Sequence, residues 1–154
     1  MTADRRKRHL KILELISTRA VQTQEELAEA LAAEGWDVTQ SSVSRDIASL
    51  GLVKVEGAYH RPVRIQRASE DPDERRIAEG VLAADVAGEA LVVLHTPPGE
   101  ANRVAVAIDR LAWPDVAGTI AGDDTIFLAV KDGQAQRRVL RELKRLGAAR
   151  AGRD

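Results

Sequence analysis

Asp123 and Asp124 stand side by side in Gly118-Thr119-Ile120-Ala121-Gly122-Asp123-Asp124-Thr125, a glycine-flanked turn between apolar runs. Adjacent carboxylates repel one another, and the pair requires a cation, a nest of hydrogen-bond donors or full solvation. Guanidinium is the best organic match, because its planar fork pairs bidentately with carboxylate. Upstream, His95-Thr96-Pro97-Pro98-Gly99 closes a strand and opens a helix. Asn102 and Asp109 follow seven residues apart, two turns along that helix and near one face. An amide and a third carboxylate there can complete a polar pocket for an amino acid. Plainer readings stand beside this one. Asp-Asp suits a solvated hairpin tip, Asp109 can pair with Arg103 or Arg110, and His95 suits a strand end.

A second constellation lies in the first third of the chain. Ser41, Ser42, Ser44 and Arg45 are short polar side chains and one guanidinium, with Gln40 just before them. A helix that reads DNA needs this set, since base edges lie deep in the major groove. Arg donates two parallel hydrogen bonds to guanine, and Ser reaches phosphate or either base type. Gln40 and the helix N-terminus can face phosphate. In isolation the same residues would form an ordinary solvated face; their surroundings decide otherwise.

Those surroundings read as three helices and a hairpin. Leu10, Leu13 and Ile16 recur at helical spacing over 5–17, widened by Ile12 and Leu15. Thr23-Gln24-Glu25-Glu26 is a capping box, followed by the stripe Leu27, Ala30 and Leu31 and the stop Gly35. Thr39 caps a third helix that buries Val43, Ile47 and Leu50 and turns Ser41, Arg45 and Ser49 outward, with Gly51 at its end. The runs 52–55 and 63–65, joined by a turn near Glu56-Gly57, are expected to pair, with Pro62 making the return an edge. This is the layout of a winged helix-turn-helix, whose wing offers Lys54, His60, Arg61 and Arg64 to phosphates.

Residues 68–73 lack apolar anchors and carry a proline, so they read as a linker. Beyond it come a helix near 74–82, a hairpin turning at Ala87-Gly88 with Leu91–Leu94 as its buried strand, and a helix near 100–111. Strands near 116–121 and 125–130 and a helix over 134–146 complete the chain. The expected fold is α+β: a winged-helix DNA-binding domain over 1–67, a linker over 68–73, and a small α/β ligand-binding and oligomerisation domain over 74–154.

Composition is compatible with this division. The chain has 154 residues, 44% apolar, with one Phe, one Tyr and two Trp, so its core rests on Leu, Val, Ile and Ala. Small domains with few aromatics often need oligomer contacts to bury enough area. The absence of cysteine removes disulfides, thiolate metal sites and a Cys nucleophile. Net charge is −1, but residues 1–67 carry +2 and residues 68–154 carry −3, and Arg5, Arg6, Lys7 and Arg8 sit at the positive end. The N-terminus lacks an apolar leader and no run reaches membrane-spanning length, so a cytoplasmic protein without a membrane partner is expected.

The segments Thr39-Gln40-Ser41-Ser42-Val43-Ser44-Arg45-Asp46-Ile47 and Leu50-Gly51-Leu52-Val53-Lys54-Val55 resemble the recognition helix and first wing strand of the bacterial arginine repressor family. Residues 96–109 and Gly118–Thr125 resemble that family's two corepressor-binding segments, in the same order. The resemblance covers nearly the whole chain. It departs at Arg61-Pro62, where the family usually has a Tyr-x-Leu-Pro-like return, and at Asn102, where Gln is frequent. By position it implies DNA contacts at Gln40, Ser41, Ser42, Ser44 and Arg45. It implies an L-arginine corepressor site at Asn102, Asp109, Asp123 and Asp124, with His95, Thr96 and Ala101 as possible lining. It further implies a homo-hexamer built as a dimer of trimers, double-stranded palindromic operator DNA as partner, and control of arginine metabolism genes. No catalytic or metal-binding residue is expected. Three other functions stay open on the residues alone. The carboxylates can hold Mg²⁺ for phosphoryl or nuclease chemistry. The ligand can be lysine or ornithine, although their point charges gain less from a forked site. The chain can also be an architectural DNA-binding protein that needs no ligand.

Overall fold

A computed structural model describes residues 3–62 and 70–148. They fall into two compact units, divided between Val63 and Arg64.

The first unit holds α1 (Ala3–Thr18), α2 (Gln24–Ala33), α3 (Gln40–Leu50), β1 (Val53–Val55) and β2 (Ala58–His60). Ile12, Val21, Leu27, Leu31 and Val43 are the most deeply buried side chains of its core. Thr23 Oγ1 accepts from the Glu26 N–H, as a cap should. The returning Glu26 carboxylate accepts from the Gln22 N–H instead of the cap's own, so the box closes one residue early. Gly35 and Gly51 adopt positive φ at the ends of α2 and α3, the conformation in which a Cβ is costly.

The hairpin differs from expectation. Glu56 and Gly57 both have positive φ, 51° and 85°. Such a two-residue turn pairs its flanking residues directly. Val55 therefore pairs with Ala58 and Val53 with His60. The return strand is Ala58–His60, and the expected Val63-Arg64-Ile65 lies outside the described residues. Tyr59 also donates its N–H to the Val21 carbonyl at 2.8 Å, fastening the wing to the α1–α2 connection.

The second unit holds α4 (Pro72–Gly80), β3 (Ala83–Ala87), β4 (Leu91–His95), α5 (Ala101–Leu111), β5 (Val116–Ala121), β6 (Thr125–Val130) and α6 (Gly133–Arg145). α4 begins inside the stretch read as a linker. Asp71 accepts from the Asp73 and Glu74 N–H groups, and Pro72 occupies the first turn, where a missing N–H costs nothing. The sheet order is β3-β4-β6-β5 and every pairing is antiparallel, because β6 inserts between β4 and β5. Ile77, Leu94, Val104, Ile108, Ile126, Leu128 and Leu143 form the core. At Gly80 an added Cβ would collide with Val104 Cγ2, so α4 packs on α5 with no room for a side chain there. Buried Gln136 of α6 donates to the Gly88 and Leu91 carbonyls at 2.9 Å each, tying α6 to the β3–β4 turn.

Candidate DNA and ligand sites

Thr39 sits in extended backbone before α3, and its hydroxyl accepts from the Ser42 N–H. Ser42 Oγ in turn accepts from the Thr39 N–H at 3.0 Å and donates to the Thr39 carbonyl at 2.8 Å. The helix that carries the DNA-facing set therefore has a closed capping box, and Ser42 is part of it. Gln40, Ser41, Ser44 and Arg45 are exposed. Gln40 Nε2 donates to Glu25 of α2 at 2.8 Å, and Ser41 Oγ lies 3.1 Å from Thr39 Oγ1. Arg45 Nε donates to the Ser41 carbonyl at 3.2 Å, which holds the side chain along the helix, and its terminal nitrogens have no partner among the described residues. Ser49, expected to point outward, is half-buried; Ala48 is the exposed residue at that end of the face. A small apolar group there suits a thymine methyl. Alanine carries no polar signal in sequence, and only helix phase reveals it.

The opposite face of α3 holds Asp46, at 1% exposure. Arg8 of α1 grips both its oxygens, and His9 Nε2 lies 2.9 Å from Oδ1. Burial alone would raise the Asp46 pKa; the hydrogen bonds from Arg8 and His9 hold it below the ordinary carboxylate value. Arg8 shifts upward through the same contact. The Arg-rich start of α1 reads as a basic patch, yet one of its arginines is a strut for α3.

In the second unit the two ligand-facing segments meet. Asp123 and Asp124 end the short connection between β5 and β6. The Asp124 carbonyl accepts from the Thr96 N–H at 2.8 Å. The Asp123 carbonyl accepts from Gly99 at 3.0 Å and from Ala101, the first residue of α5, at 3.3 Å. The acidic turn is thus stitched by its own main chain to the start of α5, whose dipole favours negative charge. Thr125 Oγ1 donates to Asp124 Oδ1 at 2.9 Å. Asp123 and Asn102 are exposed and make no side-chain hydrogen bond or ion pair among the described residues.

Asp109 lies two turns further along α5, exposed, where Thr119 of β5 donates to its Oδ1 at 2.8 Å. Thr119 is the residue that sequence reasoning passed over; it was legible as part of the motif, but not as a partner for Asp109. Neither Arg103 nor Arg110 pairs with Asp109: Arg103 meets Glu100, and Arg110 meets Asp73. Thr96 and Ala101, two of the residues named as lining, are buried. His95 Nε2 stands 3.3 Å from Asp85 Oδ2 across the β3–β4 ladder, as a strand-end histidine does. Among the described residues no group of three or more His, Asp or Glu side chains could hold a metal ion.

A capped recognition helix with a tight wing, and an exposed amide and carboxylates gathered on a separate sheet unit, define a DNA-binding regulator with an effector domain. Residues 3–64 match the family model "Arginine repressor, DNA binding domain", and residues 77–145 match "Arginine repressor, C-terminal domain". The chain belongs to the arginine repressor family. It is 47% identical to an arginine repressor of Symbiobacterium thermophilum, over 91% of this chain and 96% of that one. It is 45% identical to that of Carboxydothermus hydrogenoformans, over 87% and 93%, and 41% identical to that of Heliobacterium modesticaldum, over 90% and 96%. The protein is an arginine-responsive, DNA-binding transcriptional repressor and not an enzyme. No helix among the described residues is long and apolar enough to cross a membrane.

Proposed function

We propose that the second unit binds L-arginine as corepressor through Asn102, Asp109, Asp123 and Asp124, and that the first unit then grips palindromic operator DNA through Gln40, Ser41, Ser44 and Arg45, with Ser42 capping the helix that carries them. The carrying observation is the stitching of the Asp123-Asp124 turn to the start of α5. It spends main-chain groups only, and leaves the Asp123 carboxylate and the Asn102 amide without side-chain partners among the described residues. A guanidinium supplies the missing donors and the missing charge.

The working form is a homo-hexamer, a dimer of trimers, acting in the cytoplasm on arginine metabolism genes. Two exposed surfaces support assembly. Ile120 and Phe127 pair across β5 and β6 at 76% and 50% exposure. On α5, Val106 lies between Asn102 and Asp109 on the same outward stripe and is 37% exposed. Copies that meet across the α5 stripe bring several carboxylates together, and their repulsion opposes contact while the site is empty. Bound arginine neutralises them, stabilises the assembled state by linkage, and so couples to DNA affinity. Several winged helices in one particle then engage paired half-sites at high effective concentration.

The test is fluorescence anisotropy of a labelled palindromic operator duplex at fixed salt, with L-arginine or with L-citrulline, which lacks the cation. Tighter binding with arginine alone is expected, and Asp124→Ala should abolish the difference. Equal tightening by both ligands, or an unaltered arginine response in Asp124→Ala, would sink the corepressor site.

A further inference from the structure

The charge of the second unit is segregated. α6 (Gly133–Arg145) carries five Lys/Arg and one Glu, whereas the remainder of residues 64–154 carries nine and fourteen. Two of the five cations have structural work. Arg138 forms a bidentate pair with Asp115 at 2.7–2.8 Å, and Arg145 joins α6 to Glu74 of α4 and to Glu142. The other three, Arg137, Arg141 and Lys144, are exposed and form no ion pair or hydrogen bond among the described residues. They recur at i, i+4 and i+7, a straight row on one face, about 10 Å long at 1.5 Å per residue.

Such a row opposes helix stability, because like charges at i, i+4 repel. Lys144 in the last turn favours the helix dipole, but Arg137, near the start, does not. Acidic side chains are abundant in this unit, and Glu89 packs over Gly133 beside Arg137, yet none closes on the row. The row thus presents three cations that no carboxylate among the described residues neutralises by a direct pair, which suits an anionic partner.

We infer that the Arg137–Arg141–Lys144 face of α6 is a second DNA contact, which binds phosphates flanking the operator without reading sequence. Polyanionic duplex is the occupant the charge pattern fits: a row of unpaired guanidinium and ammonium groups on a helix matches a line of phosphates, and the protein already works on DNA. The recognition helix supplies register on the operator, and the α6 row adds affinity that depends on flanking length and on salt, not on sequence.

The test uses the full chain with saturating L-arginine and two duplexes bearing the same selected operator, one trimmed to it and one extended on both sides. The variant is Arg137→Gln/Arg141→Gln/Lys144→Gln, since glutamine keeps helix propensity. On the extended duplex, the slope of log K against log[salt] should become shallower by about 2.7 per engaged copy, at about 0.9 per phosphate. Binding to the trimmed duplex should match the parent protein. The charge-keeping variant Arg137→Lys/Arg141→Lys/Lys144→Arg should restore the parental slope. Unaltered slopes on the extended duplex would overturn the inference and leave an acidic protein as the partner to seek. Equal losses on both duplexes would overturn it as well.

Discussion

Arg8 of α1 holds Asp46 of α3 by two hydrogen bonds, Nε to Oδ2 at 2.6 Å and a terminal nitrogen to Oδ1 at 3.1 Å. Arg5 approaches the same carboxylate at 3.7 Å, and His9 fills the remaining side. The angle of the recognition helix is therefore set by a buried charge network as well as by apolar packing. Removing one partner of a buried pair leaves the other charge uncompensated. Asp46→Ala should destabilise the first unit by roughly 3 kcal/mol, the low end of the usual range because Arg8 keeps some contact with water. It should weaken operator binding while leaving arginine binding by the second unit intact, checked by thermal melts and calorimetry.

The same carboxylate makes stability depend on acid. Its folded pKa lies below the unfolded value, so its contribution is complete above the unfolded value and is lost as pH falls through the folded one. Melting temperatures followed from neutral pH to about pH 3 should fall more steeply for the parent than for Asp46→Asn, which has no carboxylate to protonate. Parallel curves would remove Asp46 from the acid limb.

Ser42 and Arg45 should separate cleanly. Ser42 is spent on the cap, so Ser42→Ala should cost about 1 kcal/mol of stability with little change in base preference. Arg45→Ala should leave stability within about 0.5 kcal/mol and cost about 1–3 kcal/mol of discrimination at a single base position. Binding-site selection on both variants, with melts alongside, checks this. Relaxed base preference in Ser42→Ala would return that hydroxyl to the reading face.

Thr119 orients Asp109 by donating to one of its two oxygens. A neutral donor to a carboxylate contributes on the order of 1 kcal/mol, so Thr119→Val should weaken arginine binding by roughly 5-fold. Asp109→Asn should weaken it by more than that. Calorimetric titration distinguishes the two, and an unaltered affinity in both would take Asp109 out of the site.

Ile120 and Phe127 face each other across the β5–β6 ladder, and both are exposed. Each copy loses about 1–2 kcal/mol of apolar burial when Phe127 becomes charged. Phe127→Asp should keep far-ultraviolet circular dichroism and sediment as a smaller particle. A variant that sediments as the parent does would leave the sheet surface outside the assembly.

Much of this protein was legible in its sequence because helix and strand periods are local. Caps at Thr23 and Thr39, stops at Gly35 and Gly51, and the strands 116–121 and 125–130 all follow from residues within a few positions of one another. The turn at Glu56-Gly57 was legible, but the return strand was misplaced because a two-residue turn pairs its flanking residues at once, and Glu56 does not advertise the positive φ that such a turn needs as glycine does. The start of α4 was misread because Asp71-Pro72 serves equally as linker or as cap and first turn, and the choice depends on what Ile77 packs against. Asp46 was assigned no role from the sequence, and its partner Arg8, 38 residues away, is joined to it only by the packing of α1 on α3. In the same way the sequence named Asp109, Asp123 and Asp124, whereas only the folded sheet joined Asp109 to Thr119 and fastened the acidic turn to the start of α5. Local periodicity and residue chemistry determine which groups are on offer. Which of them meet is decided by antiparallel register and helix packing, whose contacts span tens of residues and leave no local trace.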